Sequence, residues 1–514
     1  MGVKLFAAID VGSYLLHMKI YEFLPSNIMK EVDSVRYGID LGTETFFTGK
    51  IASEKVNELC KVLCDFREIM KSYGVSQYVA YGTSAIRETR NTQILLDLIE
   101  QRTGIRIEVL SNSRQRFLTY KSVASTGSEF NTIIEKGTGI LDIGGGSIQF
   151  SLFEHDTLVA TQNMKLGVLR LQERLHELSL GYARYEALLD EMIDSQFEVF
   201  KKLYLKEGQI ENVIIVDDYV SVLLQKKLLG SHTAGYIDHK TFLSYYDALK
   251  NETLSEKKKK YDLDEAGLNK MYISAALIAK AVRMTGAKLI WAPGISLCDG
   301  MAYEYGENKH LLKRTHDFEE DIIACAKNIS KRYMGSVKRA ETLESITMTI
   351  FDALKKRSGL SVRDRLLLRI AAILHDCGKY ISLYNLGDCS YNIIMATEII
   401  GLSNEEREIV ANVVKYNHLE FESYEAIAAG HMISSAQYLR ITKLSAILRV
   451  ANGLDRSHKQ KFKDITVKIK DGEFIISVNT NKDITLEMGL LRERARFFED
   501  VFYLKPVIKH VKEK

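Results

Sequence analysis

The stretch Gly139-Ile140-Leu141-Asp142-Ile143-Gly144-Gly145-Gly146-Ser147 reads as a buried strand that ends in a carboxylate and runs into a glycine turn. Glycine admits positive φ and lets backbone approach a ligand closely. Successive N–H groups in such a turn form a concave anion site, and an aspartate beside it holds a cation or a water. A tight turn with no ligand has the same grammar, so the motif needs company. It has company near the N-terminus, where Leu5-Phe6-Ala7-Ala8-Ile9 runs into Asp10-Val11-Gly12-Ser13 and the alternation of Leu16, Met18 and Ile20 marks a return strand. Two strand–Asp-x-Gly–strand units suggest a duplicated element whose loops face one another across a cleft. A phosphate chain held there would meet backbone donors at Gly12, Ser13, Gly144, Gly145, Gly146 and Ser147, with Asp10 and Asp142 placed for a metal ion.

Further segments extend the pattern: Val35-Arg36-Tyr37-Gly38, Thr83-Ser84-Ala85-Ile86-Arg87-Glu88-Thr89-Arg90-Asn91, Leu166-Gly167-Val168-Leu169-Arg170-Leu171 and Ser296-Leu297-Cys298-Asp299-Gly300. Together with the two turns they resemble, in order, the exopolyphosphatase / guanosine pentaphosphate phosphohydrolase (Ppx/GppA) family of the actin-like ATPase superfamily. The resemblance covers about the first three hundred residues. It implies an α/β fold of two actin-like, ribonuclease H-like lobes, Mg²⁺ on Asp142 and Asp10, and hydrolysis of a terminal phosphoanhydride. Strand signals at 5–9, 78–81, 106–110, 138–142, 148–153 and 211–216, separated by amphipathic helical stretches, agree with α/β lobes.

At 514 residues the chain exceeds one core, and several domains are expected. The formal net charge of +3 and the lack of a long basic block argue against nucleic-acid binding. A polyanion needs only a local basic lining, and Arg36, Arg87, Arg90 and Arg170 are the expected source, because guanidinium forks suit phosphate oxygens. The Lys257–Lys260 run reads as a solvated face. The six cysteines are scattered, with no second pair near Cys60 and Cys64 to complete a zinc site. No signal h-region and no 18-residue apolar run is apparent, so a reducing cytoplasm without membrane attachment is the expected setting.

After about Lys313 the periodicity becomes helical. One such helix, with Leu366, Leu367, Ile370, Ile373 and Leu374, runs into His375-Asp376-Cys377-Gly378-Lys379. That ending resembles the HD-domain signature, which implies a divalent metal held by a His, the His-Asp pair and a distant Asp. Here Arg339 falls near the first His position, and Asn452 stands where the metal Asp belongs, with Asp455 three residues on. Asn brings no negative charge to a hard cation, so the expectation is a helical scaffold retaining His375 and Asp376 as a remnant. Residues 465–478 read as a β-hairpin with an Asp471-Gly472 turn. The expected division is 1–125 and 126–312 for the two lobes, 313–460 for the HD-like helices, and 461–514 for a small α/β cap. The long helical half suits a homodimer.

Catalysis is the open question. The resemblance places the family's water-activating glutamate on Gln115, its acidic neighbour on Arg114, and a second glutamate on Gln149. An amide cannot accept a proton as a carboxylate does, and general-base catalysis contributes about 10²–10⁴-fold. Phosphoryl transfer nevertheless depends mainly on positioning, and a glutamine can orient attacking water. Two expectations follow. One is a hydrolase of inorganic polyphosphate or guanosine pentaphosphate, with Gln115 and Gln149 positioning water, Asp142 and Asp10 holding Mg²⁺, and Arg87 offsetting charge. The other is a binding protein that senses polyphosphate or guanosine penta- or tetraphosphate and has lost turnover. Tyr14, in place of the family's Asn, puts the shape of the first phosphate loop in question.

Overall fold

The computed structural model describes residues 4–25, 27–178, 185–205, 210–229, 233–314, 316–430, 433–462 and 465–511. The chain forms two compact units, Met1–Asp317 and Phe318–Lys514.

The first unit contains two sheets. In one, β1 (Lys4–Val11), β2 (Leu15–Leu24) and β3 (Ile28–Gly38) form an antiparallel meander, and β4 (Tyr78–Gly82) and β5 (Glu108–Val109) continue parallel to β1. In the other, β6 (Thr138–Ile143), β7 (Ile148–Glu154) and β8 (Thr157–Met164) form the meander, and β9 (Asn212–Val216) runs parallel to β6. β10 (Tyr236–Asp238) and β11 (Leu289–Trp291) complete the second sheet, with β11 parallel to β9. The orders β3-β2-β1-β4-β5 and β8-β7-β6-β9-β11 match strand for strand. The duplication inferred from the two turns is therefore a duplication of whole lobes.

Both faces of the central strands are covered, which explains their near-continuous apolar runs. On one face of the first sheet, Ile9 and Met18 join Leu59, Leu63 and Phe66 of the helix Ser53–Ser72 and Ile99 of the helix Thr92–Thr103. On the other, Phe6, Ala8 and Tyr21 meet Leu118 of the helix Asn112–Ala124 and Met301 and Ala302 of the helix Leu297–Asn308. Each large apolar side chain so buried contributes about 1.5–3 kcal/mol. Asp299 fixes the last helix to the sheet: it accepts from Lys19 Nζ at 2.9 Å and Tyr21 Oη at 2.9 Å and caps its own helix through the Ser296 N–H. The Asp299 position is thus structural.

β3 gave no strand signal because it is a mostly exposed edge, carrying Lys30, Glu31, Asp33 and Arg36. Charge on an edge strand discourages pairing with another chain and erases the apolar alternation. The lysine-rich run lies in the helix Leu254–Tyr261, started by a capping box between Thr253 and Glu256.

In the second unit, the helices Phe318–Arg332, Val337–Leu354, Val362–Ile373, Leu386–Ala396, Asn404–Tyr416 and Ser435–Leu454 pack around an apolar interior. The hairpin β12 (Ile465–Lys470) and β13 (Glu473–Asn479) turns at Asp471-Gly472, and β14 (Lys505–Val511) returns parallel to β13 after the helix Thr485–Phe502. No described helix is long and apolar enough to cross a membrane.

The helix pair beneath β1 leaves no room for a methyl group at Gly300, where a Cβ would lie 1.9 Å from the Leu118 carbonyl oxygen. Gly300→Ala is expected to cost about 1–3 kcal/mol by overpacking. Urea unfolding of the full chain measures it, and an unchanged midpoint would contradict this packing.

Candidate active site

A cleft in the first unit, with room of about 90 Å³, is lined by both aspartate turns and by the segment after β9. Asp10 ends β1 opposite His17, and Asp142 ends β6 opposite Gln149, so the two carboxylates occupy equivalent places in the two lobes.

The glycine turn is fixed from behind. Its carbonyls are consumed: Gly144 O accepts from Val168 N, Gly145 O from Leu169 N, and Gly146 O from Arg170 Nε, at 2.9–3.0 Å. Gly167 permits this approach, since a Cβ there would stand 2.2 Å from Gly145 O. Among the described residues, no loop or turn bond takes the N–H of Gly145, Gly146 or Ser147. The first turn is built likewise. Ser13 O accepts from Leu41 N and Gly42 N at 2.8 Å, Tyr14 O accepts from Ile39 N, and Ser13 Oγ meets Ser84 Oγ at 3.1 Å.

The expected role of glycine is corrected in one respect. None of Gly12, Gly144, Gly145 and Gly146 has positive φ. They are needed for close approach: a Cβ on Gly145 would meet Tyr14 Cδ1 at 2.9 Å and Ser13 Cβ at 3.0 Å, and one on Gly146 would meet Phe46 Cζ at 2.7 Å. The two turns press on each other directly.

The expected basic lining is also corrected, because none of the four arginines lines the cleft. Arg87 donates to Leu110 O at 2.7 Å and to Gln115 Oε1 at 3.3 Å, and so stands behind Gln115. Arg170 is spent on Gly146 O and on Glu88 at 2.8 Å, its guanidinium lying over Phe46. Arg36 and Arg90 are exposed. Arg114, aligned with an acidic position of the family, pairs with Glu304.

The cleft is instead acidic, with Asp10, Asp142, Asp217 and Asp218 all lining it. Withdrawal from water and the charges of Asp218 and Asp142 push Asp10 from its ordinary 3.8 up to about 8. Burial likewise lifts Asp142 to about 6, opposed by a Thr119 hydrogen bond and the Arg116 charge. His17, across from Asp10, is held neutral down to about 3 by burial and by Arg36 and Lys19. Asp217 and Asp218 were not among the expected site residues, although they end the apolar run Val213–Val216 as Asp10 and Asp142 end theirs.

Gln115 joins this cleft to a second, smaller cavity that Asn112, Arg116, Asp142, Ser147, Gln149 and Asn163 also line. Gln149 Nε2 donates to Ser151 Oγ and Thr161 Oγ1, both at 2.7 Å, leaving its buried Oε1 without a partner. Gln115, Asp142 and Gln149 are therefore brought together, whereas Arg87 reaches them only through Gln115.

A divalent cation fits this donor set. Asp10 Oδ1 is shielded from solvent and unpartnered, and the mutual repulsion of the carboxylates would be relieved by a cation. No three His, Cys, Asp or Glu side chains among the described residues form a cage. Mg²⁺ commonly takes only one or two carboxylates and completes its shell with water and substrate phosphates.

In the second unit, His375 and Asp376 are buried at a cluster centred on Arg339. The guanidinium donates to Asn452 Oδ1 at 2.8 Å and lies 3.5 Å from Asp376 and 3.4 Å from Asp455. Asn452 Nδ2 in turn donates to Asn417, and Lys379 pairs with Asp376 at 2.9 Å. His375 is driven down to about 3, first by burial, and stays neutral. Arg339 and Lys379 thus supply the positive charge that the two carboxylates need.

The sign of the Asp10 effect gives a pH test. Its proton is held more tightly folded than unfolded, so stability falls as pH rises from about 4 to about 8. In chelator, Asp10→Asn should lose less thermal stability than wild type across that window, and parallel pH curves would refute the assignment. Arg339→Met leaves two buried carboxylates under-compensated and should cost the second unit about 3–5 kcal/mol. Arg339→Lys should cost less, and urea unfolding compares them.

Comparison with known proteins follows the same lines. A model described as the Ppx/GppA phosphatase family matches residues 20–300, and one described as Ppx/GppA phosphatase, domain III, matches residues 323–494. The chain is similar to a guanosine-5'-triphosphate,3'-diphosphate pyrophosphatase of Photobacterium profundum, 21% identical over 452 residues and 86% of each chain. It is also similar to exopolyphosphatase 1 of Mycobacterium leprae, 28% identical over 203 residues, 39% of this chain and 58% of that protein. Among solved structures, an exopolyphosphatase from Cytophaga hutchinsonii shares the fold at a TM-score of 0.52 and 19% identity, over 61% of this chain and 100% of that one.

Proposed function

The chain belongs to the Ppx/GppA phosphatase family and is a phosphoanhydride hydrolase of that type; we propose that it releases the terminal phosphate of inorganic polyphosphate or guanosine pentaphosphate in the cleft between its two aspartate turns. The observation that carries this reading is the shared construction of those turns. Their carbonyls are tied back into the lobes, which leaves N–H groups of Gly145, Gly146 and Ser147 for a phosphate oxygen.

With four carboxylates and no arginine or lysine in the cleft lining, a bare polyanion would be repelled. Asp10 and Asp142 would hold a divalent cation, Mg²⁺ by size and hardness, which neutralises the phosphate charge and orients the scissile bond. Ser13 and Ser84 Oγ lie beside the first turn and can donate to the same phosphate. Gln115, held by Arg87, positions the attacking water, and Gln149 Oε1 offers it an acceptor from the second cavity. Neither amide removes a proton. In a loose, metaphosphate-like transfer the water needs orientation more than early deprotonation, and its proton passes to a phosphate oxygen. Turnover is then slower than with a carboxylate by about 10²–10⁴-fold. The binding-only alternative raised by the two amides is not favoured, since a relative matched over 86% of the chain is named as a pyrophosphatase.

Phosphate release from long-chain polyphosphate and from guanosine pentaphosphate with Mg²⁺ tests this directly. Release is expected, is abolished in Asp142→Ala, and rises by about tenfold or more in Gln115→Glu. Tight binding of either ligand without release in wild type or Gln115→Glu would overturn the hydrolase reading.

A further inference from the structure

Strands β6, β7 and β8 bring three polar side chains into one row. Asp142 pairs with Gln149 and Gln149 with Asn163, so all three leave the same face of the sheet, with opposed Cβ atoms about 4.5–5.5 Å apart. The first lobe fills the equivalent row with Asp10, His17 and Arg36, where His17 Nε2 meets Ser34 Oγ at 3.0 Å and Arg36 Nε at 3.4 Å. The second lobe keeps two oxygens back. Gln149 Oε1 and Asn163 Oδ1 are both buried and accept no hydrogen bond from the described residues, and Gln149 is only 6% exposed.

Both residues line the second cavity, which has room of about 20 Å³, enough for one water. Its charged side chains are Asp142 and Arg116, one of each sign, so the occupant they suit is neutral. Leaving a buried acceptor unmade is destabilising, and a single water that donates to both oxygens satisfies them. At the other end of the cleft the carboxylates have partners of their own. Tyr14 Oη donates to Asp218 Oδ2 at 2.6 Å, and Asp217 accepts the backbone N–H of Tyr219, Val220 and Ser221 at 2.7–3.0 Å and the Ser274 hydroxyl at 2.8 Å.

A water molecule has two O–H donors and two lone pairs. With one acceptor it turns freely about that bond, and its lone pairs sweep past phosphorus. With two acceptors both O–H bonds are fixed toward the β7–β8 row, and the water is held in one orientation. Gln115 Oε1 already accepts from Arg87 Nη1 at 3.3 Å, so its Nε2 is the atom left to donate to one lone pair. The other lone pair is the one that can meet phosphorus.

Resting on the hydrolase reading above, we propose that Asn163 is the second acceptor of the attacking water: its Oδ1 and Gln149 Oε1 take the two O–H bonds and so aim the free lone pair at the terminal phosphorus. The water oxygen bonds phosphorus as the bridging P–O bond breaks. The leaving phosphate keeps that electron pair, and one water proton passes to a phosphate oxygen. Orientation by two amides thus stands where a carboxylate would act as a base.

The test follows phosphate release by the full chain with Mg²⁺ from long-chain polyphosphate and guanosine pentaphosphate, in water and in water–methanol, where attack by the alcohol gives methyl phosphate. Asn163→Leu removes the acceptor at nearly the same volume and should lower kcat about tenfold with KM within about threefold. Asn163→Asp restores an acceptor and should recover most of that loss. Asn163→Ala opens room for a methyl group and should raise the ratio of methyl phosphate to phosphate about tenfold. That ratio is independent of how much of the protein is folded. Release by wild type with an unchanged kcat in Asn163→Leu would overturn the role of Asn163 and leave the hydrolase reading standing. A loss that Asn163→Asp shares, with the wild-type product ratio in Asn163→Ala, would mark a packing role and overturn it equally. No release by wild type or by Gln115→Glu would remove both readings.

Discussion

The cleft depends on two turns pressed together with no Cβ between them. Gly145 lies against Ser13 and Tyr14, and Gly167 lies beneath the backbone of residues 145–147. A side chain at either glycine would part the turns or push the glycine turn off the helix that holds its carbonyls. Close packing makes that costly: at Gly167 the atoms in the way are backbone and cannot rotate aside, and at Gly145 they are the side chains of Tyr14, Ser13 and Leu169. The contact brings the two aspartate turns into one cleft. It sets how near Asp10 comes to Asp142, which N–H groups face inward, and how Tyr14 reaches Asp218.

Buried carboxylates pose one problem that this chain answers in two ways. In the first unit the acids of the cleft face one another without a resident cation among the lining side chains, and their proton affinities rise accordingly. Such a site is stable when it is protonated or when a cation arrives with the ligand. In the second unit Arg339 and Lys379 supply the charge from within, and Asp376 is held below its usual range. The first arrangement suits binding that responds to metal and phosphate together. The second is a closed structural cluster, with Asn452 bridging Arg339 to Asn417 by accepting from one and donating to the other.

Much of this was legible in the residues. Strands that end in aspartate and run into Gly-Ser turns marked both halves of the cleft, and the apolar runs of β1, β6, β7 and β9 stood out because both their faces are buried. The edge strand β3 was not legible, since solvated charge replaces its apolar alternation. The arginines were misplaced for a different reason. A long side chain on a helix or strand can turn toward the cleft or away from it, and Arg87 and Arg170 turned to carbonyls and to Glu88 instead. Asp217 and Asp218 carried the same strand-end signal as Asp10 and Asp142 but lacked glycines behind them.

The sequence by itself determined the duplicated lobes, the two aspartate turns, the amides at Gln115 and Gln149, and the helical character of the second unit. These are properties of local pattern, in which strand ends, turn residues and helical period are written within a few positions. Only the tertiary structure decided that the turns touch, that the cleft is acidic, that Tyr14 bonds Asp218, and that Arg339 sits among Asp376, Asp455 and Asn452. Each of these joins residues from distant segments, Tyr14 to Asp218 and Arg339 to Asn452 among them. Their contact is set by how the elements pack, and no local pattern encodes it.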